Sequence, residues 1–131
     1  MARNNSVSAT FTMAAGDGAG GFSESVSASA FTSGDAIMLQ GNVGHSAEVE
    51  YVLANYGVAQ ADGVYFENRD STNFITLSLR SGAGSGNNES SLKIAPLGVF
   101  LVRCDDSQTA LTHIGIQADT AACDFVLCVA E

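Results

Sequence analysis

The side chains of this 131-residue chain best suited to chemistry are two histidines (His45 and His113), three cysteines (Cys104, Cys123 and Cys128) and fourteen carboxylates. Nucleophilic catalysis needs a serine or cysteine beside a base that a third group holds in place. Neither histidine stands near a cysteine, serine or aspartate in a recognised arrangement of that kind, and G-x-S-x-G is absent. A structural zinc site wants paired C-x-x-C ligands, whereas Cys123 and Cys128 are separated by four residues and have no second pair. The string Gly16-Asp17-Gly18-Ala19-Gly20-Gly21 formally matches G-x-G-x-x-G. It lacks a following Lys-Ser/Thr and lies between strand-patterned runs rather than before a helix, so it reads as a plain loop. Asp105-Asp106-Ser107 offers two carboxylates in a turn but no identifiable further ligands for calcium. No catalytic, cofactor-binding or metal-binding residue is therefore assigned, and the histidines and thiols read as structural or surface groups.

The elements that would position any such group have a period of two. Residues 6–13 (SVSATFTM) alternate strictly, with Val7, Ala9, Phe11 and Met13 opposed to serines and threonines. Residues 22–30 alternate again and place Ser23, Ser25, Ser27 and Ser29 on one face, with Glu24 out of character on the other. That serine ladder suits either a solvated face or a close-packed subunit contact. Residues 36–43 keep Ile37, Leu39 and Val43 in phase. In 47–53, Val49, Tyr51 and Leu53 point inward and Glu48 and Glu50 outward, which favours a strand over a helix through 47–61. Residues 64–67 and 74–79 flank Asn68-Arg69-Asp70-Ser71-Thr72-Asn73, a string whose side chains bond their own backbone, and the sequence suggests a hairpin here. Residues 81–90 (SGAGSGNNES) read as a flexible loop. Strand patterns at 92–95, 99–104, 111–118 and 123–130 complete the set, with the only proline, Pro96, between two of them. If 123–129 is one strand, Cys123 and Cys128 lie on opposite faces and do not bridge.

About eight to ten short strands with turns every 8–12 residues predict an all-β chain, an antiparallel β-sandwich or jelly roll. The expectation is one domain over residues 1–131, with residues 1–5 as a flexible N-terminal arm. Charged residues make up only 15% of the chain, so its surface is either solubilised by Ser, Thr and Asn or covered by neighbours in an assembly. A net charge of −9 with five basic residues disfavours nucleic acid and anionic membrane alike. The absence of an apolar leader and the odd cysteine count predict synthesis and folding in a cytoplasm, without a disulfide framework.

Three turn segments carry a resemblance. Asn68, Asp70, Thr72 and Asn73 close one strand. Leu92-Lys93-Ile94-Ala95-Pro96-Leu97-Gly98-Val99-Phe100 leads into another, and Ala118, Asp119, Thr120 and Ala121 precede the last. In this wording residues 62–130 resemble the small β-sandwich virion structural proteins of tailed bacteriophages, with one departure: Pro96 is followed by Leu97 before the glycine. The resemblance implies a non-enzymatic head decoration (cement) protein on the outer capsid surface of the virion, made in the host cytoplasm. It also implies a homotrimer bound to the major capsid protein, with no cofactor. The alternatives are a phage neck, tail or fibre-associated protein with carbohydrate-binding loops, and an unrelated β-sandwich binding module or enzyme. Sugar sites favour aromatic platforms; there is no tryptophan, and Tyr51, Tyr56 and Tyr65 are the only tyrosines.

Overall fold

The computed structural model describes the backbone of residues 3–13, 22–33, 36–103 and 110–131, with side chains described within 36–102 and 110–131. The chain falls into two compact units, Met1–Gly34 and Asp35–Glu131, where the sequence suggests one. The first unit is a two-stranded antiparallel ribbon of β1 (Arg3–Met13) and β2 (Phe22–Ser33). Its register sets Val7 opposite Ala28, Ala9 opposite Val26 and Met13 opposite Phe22, and sets Ser8, Thr10 and Thr12 opposite Ser27, Ser25 and Ser23. Residues 3–5, placed by the sequence in a flexible arm, are paired in β1 with residues 31–33.

The second unit contains eight strands among its described residues: β3 (Ala36–Val43), β4 (Val49–Val52), β5 (Gly63–Asn68), β6 (Ile75–Arg80), β7 (Asn88–Ile94), β8 (Val99–Arg103), β9 (His113–Ala118) and β10 (Cys123–Ala130). They form two four-stranded antiparallel sheets, ordered β3-β10-β5-β8 and β4-β9-β6-β7. Of the consecutive strands of this unit only β6 and β7 are neighbours; each other step from β3 to β10 crosses from one sheet to the other. This is the strand order of an eight-stranded jelly roll.

The topology overturns the expected hairpin. β5 pairs with β10 and β8, whereas β6 pairs with β9 and β7, so residues 68–73 form an arch between sheets. The physical reason is that Asx-type turn bonds specify a local change of direction and are silent about the partner strand. The expected strand at 47–53 is present as β4, followed by a single 3₁₀ turn, Leu53–Tyr56, that ends at Gly57 with φ +85°.

Inward positions of both sheets make one core: Val64, Phe66, Ile75, Leu77, Ile114, Ile116, Leu127 and Val129 are almost fully buried. Phe66 stacks on Phe125 with ring centroids 5.9 Å apart, and Tyr51 of β4 meets Phe125 of β10 edge-on at 6.2 Å, joining the sheets. Along β10, Cys123 is buried facing inward and Cys128 lies on the other face, where Val126 and Ala130 are also buried.

Between β7 and β8 the chain makes a tight turn with Pro96 second and Leu97 third, closed by the Gly98 N–H donating to the Ala95 carbonyl at 2.8 Å. Leu97 has φ +56°, a value that this turn type reserves for glycine or asparagine. Leu97→Asn keeps the turn and lowers the cost of the left-handed region, because the short polar side chain of asparagine can bond the local backbone there. It is expected to raise stability by about 1 kcal/mol, read from urea unfolding midpoints.

Candidate functional site

Two polar clusters concentrate the described charge and hydrogen bonding. The first lies on the outer face of β4-β9-β6-β7, around Arg80. Arg80 ends β6, opposite His113 of β9, and only 2% of its side chain is exposed. Its Nη2 meets Glu48 Oε1 at 2.6 Å, its Nη1 meets Glu50 Oε2 at 2.7 Å, and its Nε donates to the Asn88 Oδ1. Gly115 makes room for this: a Cβ there would stand 2.7 Å from the Glu48 carboxylate and 3.0 Å from the Arg80 Cζ. Glu50 Oε2 also accepts the Gly84 N–H at 2.8 Å, tying the β6–β7 connection across the sheet. That connection, read from sequence as a flexible loop through 90, is itself bonded. Ser81 donates through its N–H to Asn87 O and through Oγ to Glu89, and Asn87 Nδ2 donates to Ala83 O. β7 begins at Asn88, so the last part of the expected loop is strand.

The electrostatics make this cluster a clamp. The Gly84 N–H, with Arg80 beside it, holds the Glu50 carboxyl below its ordinary range. Burial works against the Arg80 charge, but Glu48 and Glu50 outweigh it and keep the guanidinium protonated. Both carboxylates are thus spoken for as acceptors, and the lowered Glu50 carboxyl is not poised to move a proton near neutral pH.

The second cluster sits at one end of the sandwich and brings together all three turn segments singled out in the sequence. Asn68, fully buried, donates through Nδ2 to the carbonyls of Asn73, Ile94 and Ala95, and its Oδ1 accepts the Asp70 N–H. The Asp70 Oδ1 accepts the N–H groups of Thr72 and Asn73, and its backbone carbonyl accepts the Leu97 N–H. The Asn68 N–H donates to Gly98 O, Thr120 Oγ1 donates to Asn73 Oδ1, and the Asp119 N–H donates to Phe74 O. The Asn73 and Thr72 N–H groups hold the Asp70 carboxyl below its ordinary range.

Both depressed carboxyls have the same sign of linkage. Each contributes stability that is fully present above its unfolded-state pKa and is lost as pH falls through its lower folded-state value. Thermal midpoints are therefore expected to lose the contribution of these groups only below about pH 4. Glu50→Gln should remove part of that acid dependence, as melts across pH 2–7 will show.

Of the other sequence candidates, His113 adjoins the first cluster, opposite Arg80 and close enough to act on Glu50. His113 starts β9, its Nδ1 2.8 Å from Thr112 Oγ1, while the carbonyl of His45 accepts from Gln117 near the other end of that strand. Burial raises the pKa of both Cys123 and Cys128, which makes them poor nucleophiles. Residues 16–21, Cys104 and Asp105-Asp106-Ser107 lie outside the described residues. Among the described residues no group of three or more His, Cys, Asp or Glu side chains could hold a metal ion. No described helix is long and apolar enough to cross a membrane.

Sequence reasoning missed the Arg80 clamp. It placed Glu48 and Glu50 outward on their strand, but nothing local signals that Arg80, thirty residues on, lies beside them. The large apolar side chains left exposed include Met38 on β3, Val99 and Leu101 on β8, Leu97 just before β8, and Val49 on β4. β3 and β8 are the two edges of the other sheet. Comparison of the chain with protein-family models, curated proteins and solved structures returns no match.

Proposed function

We propose that this chain is a non-enzymatic structural protein of a phage virion, a capsid decoration (cement) protein that binds the assembled coat as a homotrimer. The observation that carries the reading is the division of labour among the described side chains. The polar clusters are engaged in holding loops and strands together, while apolar side chains stand exposed on sheet edges, most of them on β3 and β8. Such a surface suits docking to protein rather than turnover of a small molecule. The jelly-roll strand order agrees with the role, since coat and lectin domains share that architecture, although architecture alone does not specify function. A protein that binds assembled coat and not free subunits stabilises the shell by mass action, in proportion to the number of sites filled.

The test is sedimentation of the purified protein with assembled shells and, separately, with free coat subunits. Saturable pelleting with shells alone is the expected result, and equal binding to free subunits or none to shells contradicts it. A second reading, a tail or fibre protein with a carbohydrate site, has one observation in its favour. Tyr56 is partly exposed and its ring lies 6.3 Å from that of Tyr51, a small aromatic platform. Binding to a glycan array that Tyr56→Ala abolishes would promote it.

A further inference from the structure

We infer that copies of this chain join head to tail through their β3-β10-β5-β8 sheets, the β8 edge of one copy pairing with the β3 edge of the next to close a ring.

Edge strands expose unpaired N–H and C=O groups, and proteins ordinarily blunt them with charge, proline, bulges or shortness. Both edges of the β4-β9-β6-β7 sheet are blunted: β4, although its Val49 is exposed, is only four residues long and carries Glu50 in the Arg80 clamp, and β7 carries Glu89 and Lys93 and pairs through a register shift at Arg80. The other sheet differs. β3 (AIMLQGNV) runs eight residues in unbroken register with β10, without charge or proline, and β8 (VFLVR) is uncharged until its last residue.

The outer surface of this sheet gives those edges matching ends. Met38, Cys128, Tyr65 and Leu101 are directly opposed across its four strands and form one row from edge to edge. The row ends in Met38, 62% exposed, on one side and Leu101, 39% exposed, on the other, with Val99 at 62% beside it. Because the strands alternate in direction and there are four, β8 runs opposite to β3. A second copy can therefore add its β3 beside β8 and keep the sheet antiparallel, with Leu101 next to the partner copy's Met38.

A second copy is the occupant that charge permits here. Each chain carries −9, so two copies repel wherever carboxylates meet, and strands free of charge are where they can approach most closely. Two unblunted edges on one sheet also favour a head-to-tail contact, since a single kind of contact then covers both and a closed ring leaves neither free. A two-fold contact through β8 alone leaves β3 open. The inference rests on the proposed homotrimer only for the number of copies, three being the smallest such ring.

The test uses the isolated full-length protein, without coat, so that its failure is separable from failure of the decoration reading. The masses of wild type, Met38→Lys, Leu101→Glu and the double variant are measured by sedimentation velocity across a dilution series, with circular dichroism confirming the fold. A ring for wild type, monomers for each single variant and a ring again for the double variant are expected, because the new opposite charges meet across the contact. If a charged variant does not fold, Met38→Ser and Leu101→Ser each serve instead and should weaken association at least about tenfold. A wild-type monomer or dimer, unchanged mass in the single variants, or a double variant that stays monomeric would overturn the inference.

Discussion

Replacing Arg80 with methionine is expected to lower stability by about 3 kcal/mol. Methionine keeps much of the aliphatic stem, so the loss isolates the guanidinium. Removing one member of a buried ion cluster costs about 3–5 kcal/mol, because its partners keep their desolvation and lose their compensation. The carboxylates of Glu48 and Glu50 are 29% and 28% exposed and can recover some water, which sets the expectation at the lower end. Glu48→Gln and Glu50→Gln should each cost less, about 1 kcal/mol, since a neutral acceptor still faces Arg80. Because the three side chains share one network, the cost of Arg80→Met combined with Glu50→Gln should fall short of the sum of the single costs. Urea unfolding of the four variants measures all of this. If Arg80→Met unfolds like wild type, the clamp is not what holds the β6–β7 connection to β4.

The second large effect belongs to Asn68. Asn68→Ala removes the donor to three carbonyls and the acceptor of the Asp70 N–H, all made by a side chain that is itself fully buried. Each buried group left without a partner costs about 1–3 kcal/mol. Some relaxation of the arch is expected, and a total of about 3 kcal/mol follows. Asn68→Asp is the sharper variant. A carboxylate offers acceptors to carbonyls that need donors, so its pKa should be raised in the folded state. A raised pKa gives stability that is present at low pH and lost as pH rises through the folded value. Asn68→Asp should therefore be least stable at neutral pH and recover on acidification, the reverse of the trend that Asp70 and Glu50 impose. Thermal melts of the two variants at pH 4 and pH 7 separate these behaviours.

Much of this fold is legible in the sequence wherever apolar residues on one face of a strand keep phase with the core. β3 and β10 fall at 36–43 and 123–130 as the alternation indicates, since Leu39, Val43, Phe125, Leu127 and Val129 all keep phase with the core. β7 is legible only in its second half, because its opening Asn88-Glu89-Ser90-Ser91 has no apolar residue to set a phase. The arch at 68–73 was readable as a turn but not as a crossing, because its bonds are local while strand pairing is decided by residues far along the chain. The same separation hid the second cluster. Asn68, Leu97 and Thr120 each stand out as turn chemistry, but only the jelly-roll order brings their three segments to one end of the molecule. The Arg80 clamp was less visible still, for a lone arginine at a strand end carries no mark of its partners. The single clue, small residues at Ser78 and Gly115 flanking it, emerges only from the register.

The proposed role stands or falls on the place of this protein in the particle. The measurement that tests it most directly is the number of copies per particle, by quantitative mass spectrometry of purified virions whose genome encodes this chain, calibrated against the major coat protein. The decoration reading predicts hundreds of copies, near one per coat subunit. A handful per particle would move the protein to the neck or tail, and its absence from particles would contradict the virion role altogether.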